Sequence, residues 1–236
     1  MSIFRKKTKN TSDNIYIKKS FSQCGEDILV DFIFKNILGK NDFTYMDVGA
    51  HHPYYLSNTA LFYEQGFKGI SIEPDPSLFT EIKKQRPNEI CLNVGVLFDN
   101  DITESDVADF YIMSTPTLNT FSKEEAERLH TQGTYTIVDK KKIQIKHLHK
   151  IFDEYFLPDF LSIDVEGLDK EIITSINFEK YRPKVICIET LEFSPDGSEN
   201  NKNINIINFL SGRNYSLYAD TNINSIFVDK KLLKYQ

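Results

Sequence analysis

Carboxylates that close apolar runs are the residues of this chain best suited to chemistry. Asp47 ends the run YMD just before Gly49, and Glu73 closes GISIE. Further along, Asp164 and Glu166 follow FLSI, and Glu189 and Glu192 follow KVICI. An ionised carboxylate only accepts hydrogen bonds, so it suits sugar hydroxyls, ammonium or sulfonium groups, and hard cations. With a suitably placed pKa it also takes a proton as a general base. His51 and His52 titrate near neutrality and are the other candidate bases. His130, His147 and His149 show no useful metal-ligand spacing. Acids at strand ends have a second, structural reading, because they cap following helices; Asp164 and Glu166 stand before the helical pattern of residues 169–176.

The elements that must carry these acids form a βαβ unit over residues 44–73. Residues 45–48 read as a strand, residues 58–65 as a helix, and residues 69–73 as a parallel second strand. Ligands of open α/β sheets sit beyond the carboxyl ends of strands, where Asp47, Gly49 and Glu73 fall. A dinucleotide site spells G-x-G-x-x-G, so that the backbone can approach a pyrophosphate. Here the turn is Gly49-Ala50-His51-His52-Pro53, with one glycine followed by bulky residues. That turn crowds a pyrophosphate but accommodates a nucleoside without one. Glu73 can accept from both ribose hydroxyls, and Asp47 favours a sulfonium or ammonium over a phosphate. S-adenosylmethionine (SAM) is the ligand this pattern predicts.

YMDVGAHHPYYLSNT, ISIEPDP, LNVGV and LSIDVEG, with SQCGED upstream, resemble the FkbM-type family of SAM-dependent methyltransferases. The matching blocks run from about Ser22 to about Glu189. The resemblance implies a Rossmann-like class I α/β fold, with a seven-stranded, mostly parallel sheet and a terminal antiparallel hairpin. It implies methyl transfer to oxygen, often on a sugar. It places SQCGED over the cofactor, with Gln23 or Glu26 near its methionine end, and Asn93, Val94 and Gly95 near its adenine. Ala50, His51, Pro74, Asp75 and Asp164 complete the cofactor-binding set. The alternative for SQCGED is purely structural: Ser22 caps a helix over residues 28–38, whose N-terminus Glu26 and Asp27 favour.

The rest of the chain follows the same order. Helices are expected at 76–85, 123–130, 148–156, 169–176 and 204–211. Strands are expected at 90–94, 108–113, 135–138, 143–146, 160–163 and 184–188, with a closing hairpin of 215–219 and 225–228. Residues 20–236 read as one domain, residues 1–19 as a basic, partly ordered tail, and residues 114–134 as a lid insertion, which the resemblance places near the acceptor site. With 236 residues, 40% hydrophobic, the chain can bury one sizeable core. Its net charge of -6 argues against a nucleic-acid partner. Cys24, Cys91 and Cys187 form no CxxC pair and read as free thiols of a reducing, cytoplasmic compartment. No transmembrane run or signal-peptide core is expected.

A sugar hydroxyl is a very weak acid, with a pKa of about 15 like bulk water. Methylating it needs a base or a cation beside the oxygen. Asp164, Glu166 and His51 are the candidate catalytic residues; the alternative is Mg²⁺ held by Asp164 and Glu189. Tyr54, Tyr55 and Asn58 are candidates for the acceptor wall. The function that the resemblance implies is O-methylation of a carbohydrate, a surface polysaccharide or its precursor. Two rivals share the βαβ opening: a nicotinamide-dependent oxidoreductase, disfavoured by the single glycine, and a non-catalytic binding module.

Overall fold

The computed structural model describes residues 17–98, 106–192 and 201–233, so most of the expected N-terminal tail lies outside the described residues. In chain order the elements are α1 (Glu26–Phe32), β1 (Tyr45–Val48), α2 (Ala60–Glu64), β2 (Gly69–Ile72), α3 (Pro76–Gln85) and β3 (Ile90–Leu92). Then come β4 (Gly95–Leu97), β5 (Val107–Met113), α4 (Lys123–Thr131), β6 (Ile137–His147), α5 (Leu148–Glu154) and β7 (Phe160–Ile163). The chain continues with α6 (Asp169–Ser175), β8 (Val185–Glu189), β9 (Leu191–Glu192), β10 (Asn201–Lys202), α7 (Ile204–Gly212), β11 (Tyr215–Asp220) and β12 (Asn224–Asp229).

Seven strands form one sheet in the order β11-β12-β8-β7-β1-β2-β3. The five on the β3 side run parallel, and β12 is antiparallel to both β8 and β11. The hairpin therefore inserts its second strand next to β8 and leaves β11 at the edge. Every residue of β1, β2 and β7 is buried, as expected for parallel strands covered on both faces. One apolar cluster, including Met46, Ile70, Leu161, Ile172 and Phe227, fills one face; another, including Phe34, Tyr45, Phe62, Phe160 and Val185, fills the other. Because all the parallel strands point the same way, their terminal acids share one rim.

Several boundaries differ from the sequence reading. The helix expected over residues 28–38 begins at Glu26, and its last stretch, Ile33–Ile37, is a π-helix closed by Leu38 N–H bonding the Ile33 carbonyl at 2.9 Å. The widened turn keeps adjacent Ile33 and Phe34 both fully buried. Ser22 does serve this N-terminus, accepting from the Gly25 and Asp27 N–H groups at 3.1 and 3.3 Å. The strand expected over residues 90–94 stops at Leu92, and Gly95–Leu97 leaves for a second, three-stranded sheet of order β4-β6-β5. The two strands expected at 135–138 and 143–146 are one continuous β6, paired antiparallel with β5. Its polar middle is held on the surface by Lys140 and Lys142, both paired with Asp109.

Between β5 and β6, residues 114–134 contain the helix α4, capped by Ser122 as its sequence suggests. A small cluster of Tyr111, Met113, Ala126 and Leu129 fastens this insertion to the second sheet. Cys24, Cys91 and Cys187 are free thiols. Among the described residues no helix is long and apolar enough to cross a membrane.

Candidate active site

Gly49 sets the geometry of the rim. Its φ is +85°, and a Cβ there would lie 1.7 Å from the Asp164 carbonyl oxygen, so only glycine lets the ends of β1 and β7 approach this closely. Gly49 and Ala50 N–H both donate to the Ile72 carbonyl, at 3.0 and 3.1 Å, which turns the chain over the end of β2. His51 follows in the left-handed region, with φ +52°. Its N–H donates to Glu73 Oε2 at 2.8 Å, while the Asp75 N–H donates to Oε1 at 2.7 Å. Glu73 thereby staples the loop after β1 to the loop after β2.

A cleft opens over this rim. It is lined by Asp47, Gly49, Ala50, His51, Glu73, Pro74 and Val94 on the β1–β3 side, and by Asp164, Glu166, Glu189 and Asn224 on the β7–β8–β12 side. Gln23, an exposed residue, stands at its edge. Pro116–Leu118, Asn119 and Phe121 of the insertion form part of the wall. The insertion is tied to the rim by Thr120 Oγ1, which donates to the Glu166 carbonyl at 2.8 Å.

Four expected cofactor residues lie outside the cleft wall, each for a visible reason. Glu26 is fully buried and accepts from Cys24 N–H, Thr221 Oγ1 and Asn224 Nδ2 at 2.8, 2.6 and 3.2 Å. Asp75 caps α3 through the Ser77 and Leu78 N–H groups. Asn93 turns its amide onto the Glu73 and Pro74 carbonyls, each at 2.9 Å, and so supports the acid's backbone from behind. Gly95 faces the ring of Phe121. Among the acceptor-wall candidates, Asn58 lines the cleft and the two tyrosines do not. His52 accepts from the Tyr54 and Tyr55 N–H groups through Nδ1, a turn-closing role. Neither Asp164 nor Glu166 caps α6, which starts without a side-chain cap.

Three contributors were not legible beforehand. Arg86, buried at the end of α3, donates to the Pro53 carbonyl, to Ser57 Oγ at 2.8 Å and to Thr59 Oγ1 at 3.1 Å. Thr59 Oγ1 in turn donates to Asp47 Oδ2 at 2.7 Å. Asp169, one turn after Glu166, accepts from the Val165 N–H at 3.2 Å, and one oxygen each of Asp164, Asp169 and Glu189 lie within 4.8 Å of one another. Asn224 is the third. In sequence these are an arginine inside KKQRPNE, an acid opening a helix and an asparagine in a turn, all ordinary for a solvated surface.

The sequence pattern of the methyltransferase FkbM domain matches residues 47–217. The chain belongs to the FkbM methyltransferase family. It is a SAM-dependent methyltransferase, with the strand order of that enzyme class. Two solved structures are similar to this methyltransferase. One is a TehB-like SAM-dependent methyltransferase from Corynebacterium glutamicum ATCC 13032 Kitasato, at 12% identity over 87% of this chain and 88% of that one, with a TM-score of 0.43. The other is precorrin-6y C5,15-methyltransferase from Geobacter metallireducens GS-15, at 13% identity over 74% and 63%, with a TM-score of 0.35. No curated protein matches the methyltransferase.

The residues present fit SAM. Asn58 lines the cleft and carries a buried Oδ1 with no partner among the described residues. The cleft's polar wall is dominated by acceptors, as a sulfonium, an ammonium and ribose hydroxyls require.

Burial pushes the Glu73 carboxyl up to about 8, against the two N–H bonds it accepts. Burial, reinforced by neighbouring acids, also raises Asp164, Glu166, Asp169 and Glu189. A folded-state pKa above the unfolded one means the native state binds the extra proton. Glu73's contribution to stability is then fully present below its ordinary value of 4.5 and is lost as pH rises through about 8. Thermal melting of the ligand-free methyltransferase is expected to fall by several degrees from pH 5 to pH 8.5. A flat or rising profile across that window contradicts the assignment.

Proposed function

We propose that this methyltransferase transfers the methyl of SAM to a hydroxyl of a carbohydrate, a surface polysaccharide or its precursor, in the cytoplasm. The observation that carries this reading is the division of one cleft into two halves. On one side stand Glu73 and Val94; on the other, around Asp164, stand acids that no ribose or adenine would need. When bound, SAM supplies an activated methyl on a sulfonium. Glu73 would accept from its ribose hydroxyls, Asp47 and Asn58 would hold its amino-acid end, and Val94 would pack on its base. Asp164, Glu166 or His51 would take the proton of the acceptor hydroxyl. A carboxyl raised by burial is better matched to that task near neutrality than a solvated one. Burial, with His52 adding to it, lowers His51, which favours the neutral ring that can accept a proton. The insertion of residues 114–134 acts as a lid on the acceptor side.

A divalent cation is the second reading, favoured by the proximity of Asp164, Asp169 and Glu189. Three hard oxygen donors suit Mg²⁺, which would polarise the acceptor hydroxyl. The test is transfer of labelled methyl from SAM to glycans, with the product's methyl position read by mass spectrometry. An O-methyl sugar is expected, and Asp164→Asn is expected to slow its formation at least 100-fold. Methyl on nitrogen or carbon contradicts the proposal. Turnover unchanged by EDTA removes the metal reading and leaves the carboxylate base.

A further inference from the structure

Asn224 opens β12 directly opposite Glu189 on β8, so the two side chains share one face of the sheet. Both line the cleft on the side away from Glu73. Asn224 is 2% exposed, and its Oδ1 has no partner among the described residues. The amide cannot turn round to find one. Its Nδ2 donates to Glu26 Oε1 at 3.2 Å, and a flipped amide would set carbonyl against carboxylate. Glu26 is itself fixed by Cys24 N–H and Thr221 Oγ1. A buried acceptor is thus left without a partner on a residue that lines the cleft, where a ligand's donor must satisfy it or its desolvation goes uncompensated.

The surroundings select the donor's charge. Asp164, Glu166 and Glu189 stand on the same half of the cleft, and no lysine or arginine lines it among the described residues. A phosphate, sulfate or carboxylate placed there would lose its hydration with no cation to compensate it.

Resting on the methyltransferase reading above, we infer that Asn224, oriented by Glu26, forms with Glu189 a subsite for the acceptor. It takes a hydrogen-bond-donating glycoside that is neutral or amino-substituted and excludes anionic sugars at the reacting end. The phosphates of a nucleotide-linked precursor must then remain outside the cleft. Glu26 acts here as a positioning residue, at one remove from the ligand.

The experiment uses the full chain saturated with S-adenosylhomocysteine, the binding of which is first measured by calorimetry. Methyl glycosides of common hexoses and 6-deoxyhexoses are then offered in neutral, 2-amino, uronate and 6-phosphate forms, and contact is read by saturation-transfer NMR. Neutral or amino forms are expected to bind at least tenfold better than their anionic counterparts. Asn224→Leu is expected to weaken them tenfold or more, with S-adenosylhomocysteine affinity held within about twofold. Glu189→Gln, a smaller change for the fold, should reduce preference for the amino forms. Equal binding of anionic forms, no glycoside contact on a loaded enzyme, or full binding by Asn224→Leu overturns the subsite. Failure to bind S-adenosylhomocysteine overturns the methyltransferase reading first, and the subsite falls with it.

Discussion

Replacing Glu73 by alanine is expected to weaken S-adenosylhomocysteine binding by a hundredfold or more. Each hydrogen bond from a ribose hydroxyl to the ionised carboxylate, the form that prevails above a pH of about 8, is worth about 1.5–3 kcal/mol, and two give about 3–6 kcal/mol. At about 1.4 kcal/mol per tenfold, that is roughly two to four decades in Kd. A second loss adds to the first. Both carboxylate oxygens hold backbone, one the His51 N–H and the other the Asp75 N–H, so alanine also frees the loops that shape the cleft. Glu73→Gln is expected to fall between wild type and alanine, because its amide nitrogen faces one of those N–H groups without an acceptor. Calorimetry on all three proteins checks the order; an alanine variant within threefold of wild type removes Glu73 from the cofactor site.

Arg86→Met is expected to have the largest effect on stability. The Arg86 and Glu89 side chains are 1% and 0% exposed and pair at 3.3 Å. Removing one member of such a pair leaves an uncompensated buried charge and costs about 3–5 kcal/mol. For a chain of this size that corresponds to a fall in Tm of roughly 6–20 °C. The guanidinium also gathers the Pro53 carbonyl, Ser57 and Thr59, and Thr59 passes the contact on to Asp47. Stability and cofactor binding should therefore separate in the double variant Arg86→Met/Glu89→Leu. With both charges gone, most of the Tm should return, while affinity for S-adenosylhomocysteine stays reduced because the 53–59 segment has lost its anchor. Recovery of both together would make Arg86 a stability residue only. Arg86→Lys is not a mild change here, since one ammonium cannot reproduce the planar fork that reaches Pro53, Thr59 and Glu89 at once.

What the sequence made legible were features encoded by neighbours in the chain. Tyr45–Val48, Phe160–Ile163 and Gly69–Ile72 are short apolar runs closed by an acid or followed by one at once, and each became a buried parallel strand of the sheet. The helix expected at 76–85 is α3, although its Asp75 cap was read as a cofactor residue, and Ser122 announced α4, because caps act within a few residues of their source. Less legible were features whose partners are remote. β3 ends at Leu92 because Gly95–Leu97 pairs with β6, about fifty residues on, and no local pattern announces that departure. Asn93 looked like an adenine contact but spends its amide on two carbonyls of the loop after β2. Glu26 looked like a ligand to the cofactor, yet its partners Thr221 and Asn224 lie almost two hundred residues away in the chain. Arg86 and Asn224 gave no sequence signal because their importance comes from burial, which composition does not reveal.

The most direct test of this account is calorimetric titration of the wild-type chain with S-adenosylhomocysteine and, separately, with NADH. The single glycine of the Gly49–Pro53 turn, its packing against Asp164 and the position of Glu73 on the cleft wall predict one-to-one binding of S-adenosylhomocysteine at micromolar Kd, with no heat from NADH. Binding of NADH in its place, or of neither ligand, would contradict the assignment of this cleft to SAM.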